Sequence, residues 1–185
     1  MSFGYATERT ADLAVGDIDR DGIPDIVVAN DGTPNMIYWG WPGVIMGPLG
    51  VPHYGMILGP HFIPEPGASD TDPLWSTLGS GPPQHSQAIA LADIDGDGDL
   101  DIVLGNTGGD ASRVYRTPGP GYSQSFIRDS LRLDTGTPLL GTVGQKVIDV
   151  AVSPGLSMEG NEVDMNRDAF PDIVLLVEGD RASST

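Results

Sequence analysis

Apolar residues in this chain come in short runs that stop at acidic stretches. ADLAVG (11–16), AIALA (88–92) and VIDVAVS (147–153) each lead into an aspartate-rich segment. DIVVAN (25–30), DIVLGN (101–106) and DIVLLV (172–177) each lead out of one. β-Branched or alternating runs of this length are too short for stable helices and read as buried strands. The pattern is therefore strand, acidic loop, strand, repeated along the chain. NMIYWG (35–40) and SRVYRT (112–117) predict one more strand in each of the first two units.

The spacing predicts a repeat architecture. Leu91 and Val152, at matching places in the second and third units, are about 60 residues apart, the length of one four-stranded propeller blade with its connections. The third unit carries an extra PGLSMEGNEV (154–163) ahead of its loop. The expected fold class is all-β: about three β-propeller-type blade repeats in a single domain spanning 1–185. Repeat 1 covers about 11–40, repeat 2 about 86–126 and repeat 3 about 145–177. SFGYAT (2–7) is expected to add an outer strand before the first unit. Closed propellers need roughly 4–8 blades. The chain is thus expected to be a partial propeller or a fragment of a larger one, with open edges that invite a protein partner or self-association.

Between the first two units lies a Pro/Gly-rich insertion, 41–83. Its Gly and Pro density excludes a helix and disfavours a regular sheet. It also carries Val44, Ile45, Met46, Leu49, Tyr54, Met56, Ile57, Leu58, Phe62, Trp41 and Trp75. A disordered linker is poor in such residues, so this stretch is expected to pack over the repeat body, or else against a partner.

Composition sharpens this picture. Gly 26 and Pro 16 among 185 residues favour many turns over long helices. A formal charge of −17 repels phosphate, which argues against nucleic acid and anionic membranes. No apolar run approaches the roughly 18–20 residues of a membrane span. Cysteine is absent, which excludes disulfides, thiolate metal sites and a cysteine nucleophile.

Much of the negative charge has one address. The segments DIDRDGIPD (17–25), DIDGDGDLD (93–101) and DMNRDAFPD (164–172) hold 12 of the 26 acidic residues. Oxygen-bearing side chains fall at loop positions one, three, five and nine. They are Asp17, Asp19, Asp21 and Asp25; Asp93, Asp95, Asp97 and Asp101; and Asp164, Asn166, Asp168 and Asp172. A tight turn aims alternate residues at one centre, and Ca²⁺ takes six to eight such hard oxygens. Filling the loops would relieve a self-repulsion built into the metal-free chain. The position where an EF-hand places its bidentate glutamate holds Val28, Leu104 and Leu175, so these are not EF-hands.

AVGDIDRDGIPDIVVAND (14–31), ALADIDGDGDLDIVLGN (90–106) and, more loosely, VDMNRDAFPDIVLLV (163–177) resemble the FG-GAP/VCBS repeats of integrin α-subunit-like calcium-loop propellers. The resemblance implies Ca²⁺ in the loop between the first two strands of each blade. It also implies carbonyl ligands from Ile23, Asp99 and Phe170. Gly22 and Gly98 stand where positive φ favours glycine, whereas the third loop has Ala169 there and Asn166 for an aspartate. The third site is expected to be the weakest.

The family resemblance implies a non-enzymatic scaffold for protein–protein recognition or adhesion. A small accessory subunit of a larger assembly is the alternative, and the propeller portion of a secreted hydrolase a lesser one. No nucleophile elbow, zinc-protease or phosphate-loop motif is present, and His53, His61 and His85 match no metal-ligand spacing. Calcium loops of this kind favour an extracellular or lumenal setting, although MSFGYATERTAD lacks the basic and apolar regions of a signal peptide.

Overall fold

The structure, a computed structural model, describes residues 9–40, 44–46, 52–54, 75–153 and 171–178, with 44–46 and 52–54 as backbone only. The first sheet is built from β1 (Thr10–Gly16), β2 (Asp25–Asn30) and β3 (Met36–Tyr38). A separate hairpin, β4 (Val44–Met46) and β5 (Pro52–Tyr54), follows, and β6 (Trp75–Thr77) then completes the sheet in the order β1-β2-β3-β6. The second sheet contains β7 (Ser86–Ala92), β8 (Asp101–Asn106) and β9 (Arg113–Tyr115). After the helix α1 (Gln124–Leu133), β10 (Thr137–Pro138) joins it, giving β10-β9-β8-β7. β11 (Val147–Val152) and β12 (Ile173–Val177) form a third, two-stranded sheet. All pairings are antiparallel.

The expected strands on either side of the acidic loops are therefore present, and the fold is mostly β. Each first strand also carries a register shift at the same place: between Thr10 and Asp12, Ser86 and Ala88, and Val147 and Asp149. A bulge repeated in three sheets marks them as copies of one unit. β6 falls inside 41–83, so the first sheet takes its last strand from the end of that stretch. The hydrophobic pattern did not announce α1. SFGYAT (2–7) lies outside the described residues, as do Trp41 and all of the third loop before Pro171.

The sheets stack in sequence through their faces. Val27, Ala29 and Ile37 of the first sheet meet Ile89, Ile102 and Leu104 of the second, with Trp39, Leu78 and Tyr115 between them. The second sheet's other face, Ala88, Val103 and Val114, packs on Val147, Val150, Ile173 and Leu175 of the third. Strand alternation explains both cores, since neighbouring residues point to opposite faces. Helix α1 adds Ile127 and Leu131, spaced one turn apart and both buried, to the first core.

At the ends of β2 and β8 sits a repeated polar knot. Asn30 and Asn106 are wholly buried; each accepts a hydroxyl bond, from Thr10 (3.0 Å) and Ser86 (2.8 Å) respectively. Their amide groups donate to the carbonyls of Pro34 and Ala111, both at 2.7 Å. In the third sheet the equivalent pair is Val147 and Val177. Both polar partners are replaced together there, which avoids leaving either one buried and unpaired.

Candidate metal centres

The first acidic loop joins β1 to β2 and the second joins β7 to β8, each folded around its first aspartate. Asp17 accepts the N–H of Asp21 (3.1 Å) on one oxygen and that of Gly22 (3.0 Å) on the other. Asp93 likewise accepts from Gly96 (2.8 Å), Asp97 (3.0 Å) and Gly98 (2.9 Å). The fifth-position carboxylates close a smaller turn: Asp21 accepts from Ile23 at 2.8 Å and Asp97 from Asp99 at 3.0 Å. These bonds need left-handed backbone at the sixth position, where Gly22 has φ 86° and Gly98 has φ 92°. The fourth position is left-handed too; Gly96 takes it without strain, but in the first loop it is Arg20, at φ 62°.

Carboxylate oxygens converge in both loops. One oxygen each from Asp17, Asp19 and Asp21 lie within 4.8 Å of one another, as do oxygens from Asp93, Asp95 and Asp101. Three like charges so close repel strongly unless a cation sits among them. The donor set is all hard oxygen, as Ca²⁺ requires, so the residues present fit that ion. The first cluster does not include Asp25, nor the second Asp97. Of the third loop, Asp164, Asn166, Asp168 and Phe170 lie outside the described residues. Asp172 is described: its N–H donates to Ser153 Oγ (2.9 Å) and its carbonyl accepts the Ser153 N–H (2.9 Å).

The ninth-position aspartates have a second task that the motif does not reveal. Asp25 accepts the N–H of Ile18 (2.8 Å) and of Gly40 (2.7 Å). Asp101 accepts those of Ile94 (2.9 Å) and Thr117 (2.9 Å). Each thus ties the start of its loop to the chain leaving the third strand. Burial pushes Asp25 up to about 7 and Asp101 up to about 6, against the pull of those backbone donors. A carboxylate retains free lone pairs after two such bonds, which lets Asp101 serve both frame and cluster.

Two arginines complete the electrostatics. Arg20 Nη2 reaches Asp99 Oδ2 at 2.6 Å and donates to the carbonyls of Pro118 and Gly119 at 2.8 and 3.0 Å. One loop is thereby fastened to the other. Arg128, on α1, approaches Asp19 Oδ2 through Nε at 2.6 Å and Nη2 at 2.5 Å, with Asp21 Oδ2 at 3.8 Å. Its guanidinium also lies 5.0 Å from the centre of the Trp39 ring. Burial raises the Asp19 carboxyl, with Arg128 opposing that rise. In the second loop the corresponding Asp95 has Arg116 at 3.8 Å, its nearest arginine among the described residues.

His85 binds Asp31 at 2.7 Å at an isolated bridge between the first two sheets. The side chains of His53 and His61 are outside the described residues. Among these residues no helix is long and apolar enough to cross a membrane.

Among curated proteins none matches the chain. The family model of the FG-GAP repeat matches residues 86–122, which run from the first residue of β7 through the second acidic loop to beyond β9. The chain therefore carries an FG-GAP repeat, a β-propeller blade.

Proposed function

We propose that this protein is a calcium-binding, non-enzymatic β-propeller-type module that acts as a scaffold for protein–protein recognition or adhesion. One observation carries the metal reading. Two loops of the same length, in separate sheets, fold around their first aspartate through matching hydrogen bonds and gather carboxylates within 4.8 Å. Asp17, Asp19 and Asp21 would hold one ion and Asp93, Asp95 and Asp101 another, joined by carbonyls of Ile23 and Asp99. Calcium supplies positive charge to clusters of three carboxylates that Arg128 at the first loop and Arg116 at the second offset only in part. The ion pins the turn between two strands, and binding confined to the folded state adds to stability. A third ion belongs to Asp164, Asn166, Asp168, Asp172 and the Phe170 carbonyl, held more weakly.

The accessory-subunit reading has its own support in the third sheet. Val174 is the counterpart of Val27 and Val103, which are 0% exposed beneath the next sheet, yet Val174 is 40% and Leu176 56% exposed. Asp149 also repeats Asp12, which accepts its own neighbour's N–H and that of Ile89 in the following sheet. That face is where a protein partner would continue the stack.

Counting bound calcium by native mass spectrometry tests the metal reading. At least two ions per chain are expected, one fewer in Asp93→Ala. A chain that holds none would end it.

A further inference from the structure

The two described loops share a motif, but their third-position aspartates meet different surroundings. Asp19 is 1% exposed and faces the guanidinium of Arg128 at 2.5–2.6 Å. Its equivalent Asp95 is exposed, with Arg116 at 3.8 Å the nearest arginine among the described residues. A buried carboxylate must have a counter-charge, and in the first loop a side chain of the protein already provides it. Arg128 is well placed to stay. Ile127 and Leu131 anchor its helix in the core between the first two sheets, and the face of buried Trp39 lies beneath its guanidinium. The arginine also comes from the helix between β9 and β10 of the second sheet, 109 residues along the chain from Asp19.

We propose that Arg128 is a resident counter-cation of the first loop that competes with calcium for Asp19 and Asp21, so that the second loop fills before the first. This rests on the calcium reading above. A divalent ion entering the first loop must share the Asp19 carboxylate with the guanidinium held on its Oδ2, or displace that guanidinium, and the apparent affinity falls by the cost of doing so. The second loop asks for no such exchange. Arg128 therefore sets the affinity of a site on another sheet, and filling that site shifts the guanidinium against Trp39.

Calorimetric titration of the full chain with calcium chloride, alongside tryptophan fluorescence, tests this. Wild type is expected to show a tight step, lost in Asp95→Asn, and a weaker step accompanied by a change in tryptophan emission. In Arg128→Gln the weaker step tightens by about tenfold, equivalent to about 1.4 kcal/mol, while the tight step keeps its affinity. Arg128→Lys, which keeps the charge but loses the planar fork, falls between the two. If Arg128→Gln does not fold, the Lys variant and the wild-type fluorescence decide. A weak step with unchanged affinity in the folded Arg128 variants, or an emission change confined to the tight step, overturns the proposal and leaves the calcium reading standing. No binding in any protein removes both.

Discussion

At the scale of single residues, position within the loop separates two kinds of aspartate. Asp95 is exposed and accepts little from the backbone, so under the calcium proposal it acts as a ligand and does little else. Asp101 is buried and holds the N–H groups of Ile94 and Thr117. Asp101→Ala is expected to lower stability even in chelator, by about 1–3 kcal/mol for each buried donor left unpaired. Asp95→Ala should leave the chelated protein nearly unchanged and reduce only what calcium adds; urea denaturation with and without calcium separates the two. The buried carboxylates also give the metal-free protein a pH dependence. Asp25 and Asp101 are raised to about 7 and about 6, so the native state holds these protons more tightly than the unfolded chain, whose aspartates titrate near about 3.9. Their contribution is full at low pH and lost as pH rises through about 6–7. Melting temperature in chelator is expected to fall between about pH 4 and about pH 7 and to level off above that, and calcium, which favours the ionised form, should remove most of that fall. That Asp17, Asp19 and Asp21 converge, as do Asp93, Asp95 and Asp101, was legible in the sequence because a tight turn aims alternate residues at one centre; that Asp25 and Asp97 stand outside these clusters was not. Arg20 and Arg128 were not, since their contacts cross 79–109 residues of chain and depend on how the sheets stack.

The strands flanking each loop were legible at the scale of elements because burial on both faces leaves an unbroken apolar run, as in DIVVAN and DIVLGN, whose residues are all buried. Helix α1 was obscured by the glycines and prolines around it. Its marks were local and weak: Ser123 accepting the Phe126 N–H at 3.3 Å, Ile127 and Leu131 one turn apart, and Arg132 in the last turn. β6 and β10 are too short to carry a period, and they exist because a neighbouring strand offers its edge. The asparagine that ends β2 and β8 was visible in the sequence, but its role as a buried knot required the pairing with Thr10 and Ser86. The third sheet's Val147 and Val177 show how the knot is exchanged. Asn106→Val alone is expected to cost about 1–3 kcal/mol, because it strands buried partners. Adding Ser86→Val should cost less than the two single changes together, and a double-mutant cycle by denaturant unfolding reads that coupling.

At the scale of the whole molecule, the described residues form a stack of similar antiparallel sheets, two of whose turns gather carboxylates, and the last of which presents an apolar face to solvent. The stacking order follows from strand alternation. In β8, Ile102 and Leu104 meet the first sheet and Val103 the third. In β2, Val27 and Ala29 meet the second sheet, while Ile26 and Val28 pack with Met36, Tyr38 and Trp75 of their own. Charge acts at the same scale. A formal charge of −17, with 12 of the 26 acidic residues in three loops, opposes compactness, and under the calcium proposal divalent ions would offset that locally. Stability of the chain and occupancy of the loops should therefore rise together. The most direct measurement is a thermal melt of the full chain in saturating calcium against one in excess chelator. A large upward shift with calcium, much reduced in Asp95→Ala, is the predicted result. Equal melting temperatures in calcium and chelator would contradict the account, leaving the loops as metal-free turns held by Arg20, Arg128 and backbone donors.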